Sequence, residues 1–152
     1  MNRFSSFCRT AVAIVALVIL GATFPALAGD EVPFKGLANV VITGVEPVGD
    51  DLHLTVDGTG QATHLGQFTR HEEVVLHADG TVEGSIVFFA ANDDRLFVSV
   101  AGGFTSANTT AGTYTITGGT GRFTDATGSA SWAGVTSDGS HFAITFEGTI
   151  GY

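Results

Sequence analysis

The segment from His64 to His77 is the part of the chain richest in side chains that could do chemistry. Apolar positions that alternate with polar ones before Leu76 are typical of a strand with two different faces. Counting back from Leu76, this alternation places four functional side chains on the apolar face: His64, Phe68, Arg70 and Glu72. We expect an inward Arg70 and Glu72 to pair, because an unpaired buried charge is costly. Such a pair could orient the polar end of a ligand or supply acid and base groups.

The sequence leaves two other interpretations of the Arg70–Glu72 pair open. A β-bulge near residues 70–73 would reverse the alternation and leave both charges in water. A purely structural ion pair would explain the same two residues without any ligand. Trp132, the only tryptophan, is a further candidate for a pocket wall, although packing in a core is the simpler explanation for it.

The histidines do not predict a metal site. His71 and His77 share the outward face of their strand, but they are about 20 Å apart at about 3.3 Å per residue. A shared ion would need His53 or His141 from another strand, and both of these lie on polar faces. The paired aspartates at residues 50–51 lack the spacing of a calcium loop. We therefore expect no metal and no cofactor.

The elements that must position these residues are predicted to be strands. Threonine, valine, isoleucine and phenylalanine dominate the chain after residue 28, and frequent glycines interrupt any helical pattern. Asp57-Gly58 and Asp79-Gly80 are strong hairpin signals. The predicted strands cover residues 34–44, 51–57, 60–77, 81–91, 94–105, 111–118, 127–136 and 140–151. This spacing predicts an all-β fold with a single eight-stranded antiparallel β-barrel, and a β-sandwich is the alternative.

The first 28 residues have the layout of a secretory signal peptide. Arg3 and Arg9 precede an apolar stretch, and Ala26-Leu27-Ala28 forms an A-x-A cleavage site. We expect cleavage after Ala28, which leaves residues 29–152 as one barrel domain in the periplasm or outside the cell. Cleavage also removes the only cysteine, so we expect neither a disulfide nor a thiolate nucleophile.

The chain after the predicted cleavage point is strongly acidic. With four basic and fifteen acidic residues, it has a formal net charge of −11. This balance argues against nucleic acid as a partner, because phosphate binding requires clustered lysine and arginine. It argues in the same way against binding to an anionic membrane surface.

Glycines cluster between residues 116 and 130, where one strand ends and the next begins. Gly118, Gly119, Gly121 and Gly128 are interpreted as structural turn residues, because glycine reaches positive φ and permits close backbone approach. The cluster lacks the Lys-Ser/Thr pair of a phosphate loop, and no helix follows it. These absences argue against nucleotide binding.

The run Gly118-Gly119-Thr120-Gly121-Arg122-Phe123, followed by Gly128-Ser129-Ala130, resembles the G-G-T-G-x-F … G-x-A turn of the allene oxide cyclase and dirigent-like barrel superfamily. Secreted bacterial proteins of unknown role share this layout. The specific match covers about fifteen residues. The resemblance implies an eight-stranded barrel with a central cavity that could hold an apolar ligand. It carries over no catalytic residue, because the pocket carboxylates and arginines of the plant proteins cannot be aligned here.

The expected function is that of an exported, soluble barrel that binds a small apolar molecule. Binding is favoured over a cyclase-like or isomerase-like reaction, since no pair of catalytic groups stands out. An eight-stranded outer-membrane barrel is an alternative, but the short loops and few Trp and Tyr residues argue against it. A structural or assembly module, in which a homo-oligomer hides an outer apolar patch, is a third hypothesis.

Overall fold

The computed structural model describes residues 30–152, which form eight strands and one short 3₁₀ turn. The strands are β1 (Val32–Val48), β2 (Asp51–Ala62), β3 (Gly66–Leu76), β4 (Thr81–Phe89), β5 (Arg95–Ser106), β6 (Thr109–Gly119), β7 (Thr127–Thr136) and β8 (His141–Gly151), and the 3₁₀ turn is Gly121–Phe123. The predicted signal peptide, residues 1–28, lies outside the described residues. No helix within residues 30–152 is long and apolar enough to cross a membrane.

Each strand pairs antiparallel with the next one in the chain, and β1 closes the ring by pairing with β8. The closing register runs from Val32 opposite Ile150 to Val41 opposite His141. The prediction of a single eight-stranded antiparallel barrel is confirmed, and the sandwich alternative is wrong, because all eight strands belong to one closed sheet.

Alternation along the strands separates an apolar interior from a mostly polar exterior. On β8, Ile144, Phe146 and Ile150 are buried, whereas His141 and Glu147 are exposed. The strands therefore bury their apolar faces against one another inside the barrel. The outer-membrane alternative requires the opposite arrangement, with apolar side chains pointing outward.

The two ends of the barrel differ in how well they are filled. The connections β2–β3, β4–β5 and β6–β7 meet at one end, which we call the closed end. Five large side chains at this end are at most 1% exposed: Phe34, Leu65, Leu96, Phe123 and Ile150. The connections β1–β2, β3–β4, β5–β6 and β7–β8 meet at the other end, which we call the open end.

The glycine-rich connection between β6 and β7 belongs to the closed end. Gly118, Gly121 and Gly128 have φ angles of 134°, 57° and 143°, which residues with a Cβ rarely adopt. A Cβ on Gly119 would collide with the backbone of β5. This geometry lets the 3₁₀ turn place Phe123, which is 0% exposed, across the end of the barrel.

The connection between β2 and β3 is not where the sequence predicts it. Asp57-Gly58 lies within β2, and a Cβ on Gly58 would collide with Val40 of β1, so this glycine serves close strand packing. The chain turns instead at residues 63–65, where His64 has a φ of 65°. The placement of His64 on the inward face of a strand is therefore wrong, because a turn holds this residue.

Candidate functional site

The open end of the barrel leads into a cavity of about 310 Å³. Its wall is mainly aliphatic and aromatic, with contributions from Val40, Leu54, Val74, Val100, Phe142 and Ile144 among others. Side chains with polar atoms come from five lining residues: Arg70, Glu72, Thr110, Tyr114 and Trp132. An apolar cavity with a few polar groups is the usual form of a small-molecule site, and this volume lies near the lower end of that class.

Arg70 and Glu72 both point into the barrel and form an ion pair. Strand β3 pairs with β2 and β4 without a register shift, so the bulge that would turn both charges outward does not occur. Arg70 Nη2 lies 2.6 Å from Glu72 Oε1. The two atoms are close but not aligned as a hydrogen bond, so the attraction between them is mainly Coulombic.

The Arg70 guanidinium is almost completely covered by protein. Its side chain is 1% exposed, and its carbon Cζ lies 5.1 Å from the centre of the Phe88 ring and 5.7 Å from that of Tyr114. Nη2 also donates a hydrogen bond of 3.2 Å to the Tyr114 hydroxyl, whereas Nε and Nη1 have no hydrogen-bond partner in the described part of the chain. The aromatic faces and Glu72 therefore compensate a cation that has lost its water.

Among residues 30–152, Glu72 contributes the only carboxylate in the wall of the cavity. Its side chain is 9% exposed, which is more than the 1% of Arg70. Burial raises the pKa of the Glu72 carboxyl above its usual value, and the nearby Arg70 guanidinium offsets only part of that effect. The group can therefore accept a hydrogen bond when ionised, or donate one when protonated.

Tyr114 and Trp132 form an aromatic wall beside the ion pair. Their rings stack with centroids 5.8 Å apart and an interplanar angle of 19°. Burial raises the pKa of the Tyr114 hydroxyl, which keeps it protonated near neutral pH. Tyr114 is not among the residues predicted from the sequence, although the alternation of Thr110, Tyr114 and Ile116 on β6 indicates that it points inward.

The two remaining candidates lie outside the cavity wall. Phe68 is buried on the closed-end side of Arg70, where the centre of its ring lies 5.1 Å from that of Phe88. His64 lies at the closed end, where its Nδ1 is 2.9 Å from the Tyr152 hydroxyl. The structure therefore brings together Arg70, Glu72 and Trp132 and separates His64 from them.

The outward histidines pair with carboxylates on the barrel surface. His71 Nδ1 lies 2.7 Å from Asp57 Oδ1, and its Nε2 lies 3.1 Å from Glu73 Oε1. The hydrogen bond to Asp57, supported by Glu73, raises the pKa of His71. Within residues 30–152, no group of three or more histidine, cysteine or acidic side chains is arranged to hold a metal ion.

Comparisons with known proteins identify the fold. No protein-family model and no curated protein sequence matches this chain. Among solved structures, the pterocarpan synthase dirigent protein GePTS1 matches with a TM-score of 0.63 and 13% sequence identity, over 95% of this chain and 99% of that one. At this identity the likeness concerns the fold, and the chain accordingly has the eight-stranded barrel fold of a dirigent protein.

Proposed function

We propose that this protein binds a small, mostly apolar molecule in the barrel cavity, with the polar end of that molecule at Glu72. The observation that carries the proposal is a cavity of about 310 Å³ with apolar walls and one buried ion pair. Burying a charged pair is expensive, so its position in the cavity wall, and not in the filled half of the barrel, favours a role in ligand contact.

The contrast between the two ends of the barrel supports the same proposal. Large aromatic and aliphatic side chains fill the closed end, whereas the open end keeps its space although valine and leucine side chains surround it. Protein interiors are normally packed without such voids. A solved barrel of the same fold is named a pterocarpan synthase, which supports a small-molecule role for the cavity.

The proposal can be tested with a neutral fluorescent probe, N-phenyl-1-naphthylamine, whose emission rises in apolar surroundings. We expect saturable binding that Val74→Trp abolishes, because Val74 lines the cavity. The matched control is Val75→Trp on the outer face of the same strand, which should bind the probe like the wild type. Circular dichroism checks that both variants fold. Absence of binding to the folded wild type, or equal binding by both variants, would contradict the proposal.

Catalysis is a second candidate, favoured by the raised pKa of Glu72 in the cavity wall. A carboxyl group whose pKa is raised by burial suits the proton transfer of an isomerase-like or cyclase-like reaction. Native mass spectrometry of protein from its own host would identify a co-purifying molecule. A Glu72→Gln variant that accumulates a different molecule from the wild type would support turnover, whereas the same molecule in both would support binding alone.

We also propose that the barrel is exported and that residues 1–28 are removed after Ala28. Amino-terminal sequencing of protein from the periplasm or medium tests this directly. A chain that begins at Gly29 supports export, and a cytoplasmic chain that keeps residues 1–28 contradicts it.

A further inference from the structure

The open end of the barrel carries charge of a single sign. Its hairpins span residues 45–53, 75–83, 103–110 and 135–142, and none of these ranges contains a lysine or arginine. They contain six acidic residues: Glu46, Asp50, Asp51, Asp79, Glu83 and Asp138. We call this set the acidic rim. Three histidines, His53, His77 and His141, lie in the same ranges, with His77 3.1 Å from Asp51 and His141 2.8 Å from Asp138.

The basic residues of the described chain lie elsewhere. Arg70 is buried in the cavity wall, Lys35 pairs with Glu147, and Arg95 and Arg122 lie at the closed end. A cleft bordered by one sign of charge raises the local concentration of ligands of the opposite sign. The acidic rim therefore favours the approach of cations and disfavours that of anions.

A side chain inside the cavity also favours cations over anions, for a reason that is independent of the acidic rim. Glu72 lines the cavity, and its side chain is 9% exposed. Its Oε1 is covered and lies 2.6 Å from Arg70 Nη2, so a ligand reaches the remaining, exposed part of the carboxylate. Arg70, the one cation of the wall, is 1% exposed in its side chain and lies against the faces of two aromatic rings. A ligand that enters the cavity thus meets a carboxylate, and the guanidinium is shielded from it.

We propose that the cavity selects amphiphilic amines over carboxylic acids of the same chain length, with Glu72 accepting a hydrogen bond from the ammonium group. The inference rests on the proposed function, because it names the class of molecule that the same cavity takes. The apolar body of the ligand contacts the aliphatic wall, and Trp132 lies beside it. A charge-assisted hydrogen bond is about twice as strong as a neutral one, so the head group decides between ligands whose tails are identical.

The test compares decylamine, decanol and decanoate, which share one alkyl chain and differ in head-group charge. Fluorescence of Trp132, the only tryptophan, reports binding at concentrations below self-association of the ligands. At pH 8 we expect decylamine to bind about tenfold more tightly than decanol. Decanoate should bind more weakly than decanol. Raising salt to about 1 M should weaken decylamine binding, because it screens the acidic rim.

Glu72→Gln keeps the shape of the side chain and removes its charge, so the preference of decylamine over decanol should fall to within about twofold. Glu147→Gln, the same change on the outer face of β8, should leave the preference as in the wild type. Decanoate binding as tightly as decylamine, or an unchanged preference in Glu72→Gln, would overturn the inference. Among the variants, only Glu72→Gln must fold for this test. The order of the three ligand affinities in the wild type decides the selectivity by itself.

Failure of the inference is distinguishable from failure of the proposed function. If decanol binds and decylamine binds no more tightly than decanol, the cavity binds apolar molecules without selecting their charge, and only the inference is wrong. If none of the three ligands binds, the proposed function itself is contradicted.

Discussion

The buried ion pair makes a quantitative prediction about stability and pH. Arg70→Met removes the guanidinium and keeps an unbranched apolar side chain between Phe88 and Tyr114. Glu72 then has no counter-ion in a site that already raises the pKa of its carboxyl by burial. Since an isolated buried carboxylate is very costly, we expect Glu72 to remain protonated in the folded variant.

The sign and size of the effect follow from proton binding. In the unfolded chain Glu72 ionises above about pH 4.3, so the folded variant holds one more proton than the unfolded one. The free energy of unfolding should therefore fall by about 1.4 kcal/mol for each pH unit above that value, until the raised folded pKa is reached. At pH 7 the loss amounts to at most about 3.7 kcal/mol, which lies within the range of about 3–5 kcal/mol for breaking a buried ion pair.

The assay is urea unfolding followed by Trp132 fluorescence at several pH values from 5 to 8. Arg70→Met/Glu72→Leu is the control, because it keeps every other titrating group and removes the one in question. The difference in free energy of unfolding between the two variants should widen steadily with pH. A difference that is the same at pH 5 and pH 8 would refute the reasoning, since it would mean that Glu72 ionises in the folded variant as freely as in water.

Three further predictions concern the frame around the cavity. Gly128→Ala should lower the free energy of unfolding in urea by about 3 kcal/mol, because a Cβ there meets the backbone of β8 at an unfavourable φ. Gly49→Ala, with open space around the added Cβ, should lower it by about 1 kcal/mol. Equal losses in the two variants would contradict this prediction. Phe123→Ala should lower the free energy of unfolding by about 3–5 kcal/mol, because this ring is fully buried at the closed end, and a loss below about 1 kcal/mol would show that the end does not depend on it. Asp57→Asn should lower the pKa of His71 in an NMR titration, because the hydrogen bond that His71 donates to the Asp57 carboxylate raises it; an unchanged pKa would mean that this contact does not persist in solution.

The inward placement of Arg70 and Glu72 could be predicted because β3 is regular. Its alternation continues without a bulge from the buried Val74 back to Phe68, so counting residues gives the correct face. The partners of the pair could not be predicted in the same way. Tyr114 lies 44 positions away on β6, and its contact with Arg70 depends on the stagger of all strands around the closed barrel. No local sequence pattern predicts the stagger of the strands.

The turn between β2 and β3 shows where local signals mislead. Asp-Gly is a strong hairpin signal, but here Gly58 is required by the close approach of β1, and Asp57 binds Thr43 and His71 on the outer face. The true turn contains no Asp-Gly pair and places His64 at positive φ, which is uncommon for residues other than glycine. A tertiary contact thus overrides the local preference, and the error moved His64 into the predicted site.

Closure of the barrel by β1 and β8 has a consequence for the order of folding. The pair joins Val32 to Ile150, so the ring is complete only when the two most distant strands of the described chain meet. Contacts of such large sequence separation form slowly, because the entropy of bringing the ends together is lost first. Until then β1 and β8 each present an unpaired strand edge, and such edges invite pairing with other chains. A chain truncated before β8 should therefore form aggregates, and a partner that protects β1 during synthesis should raise the yield of the intact barrel.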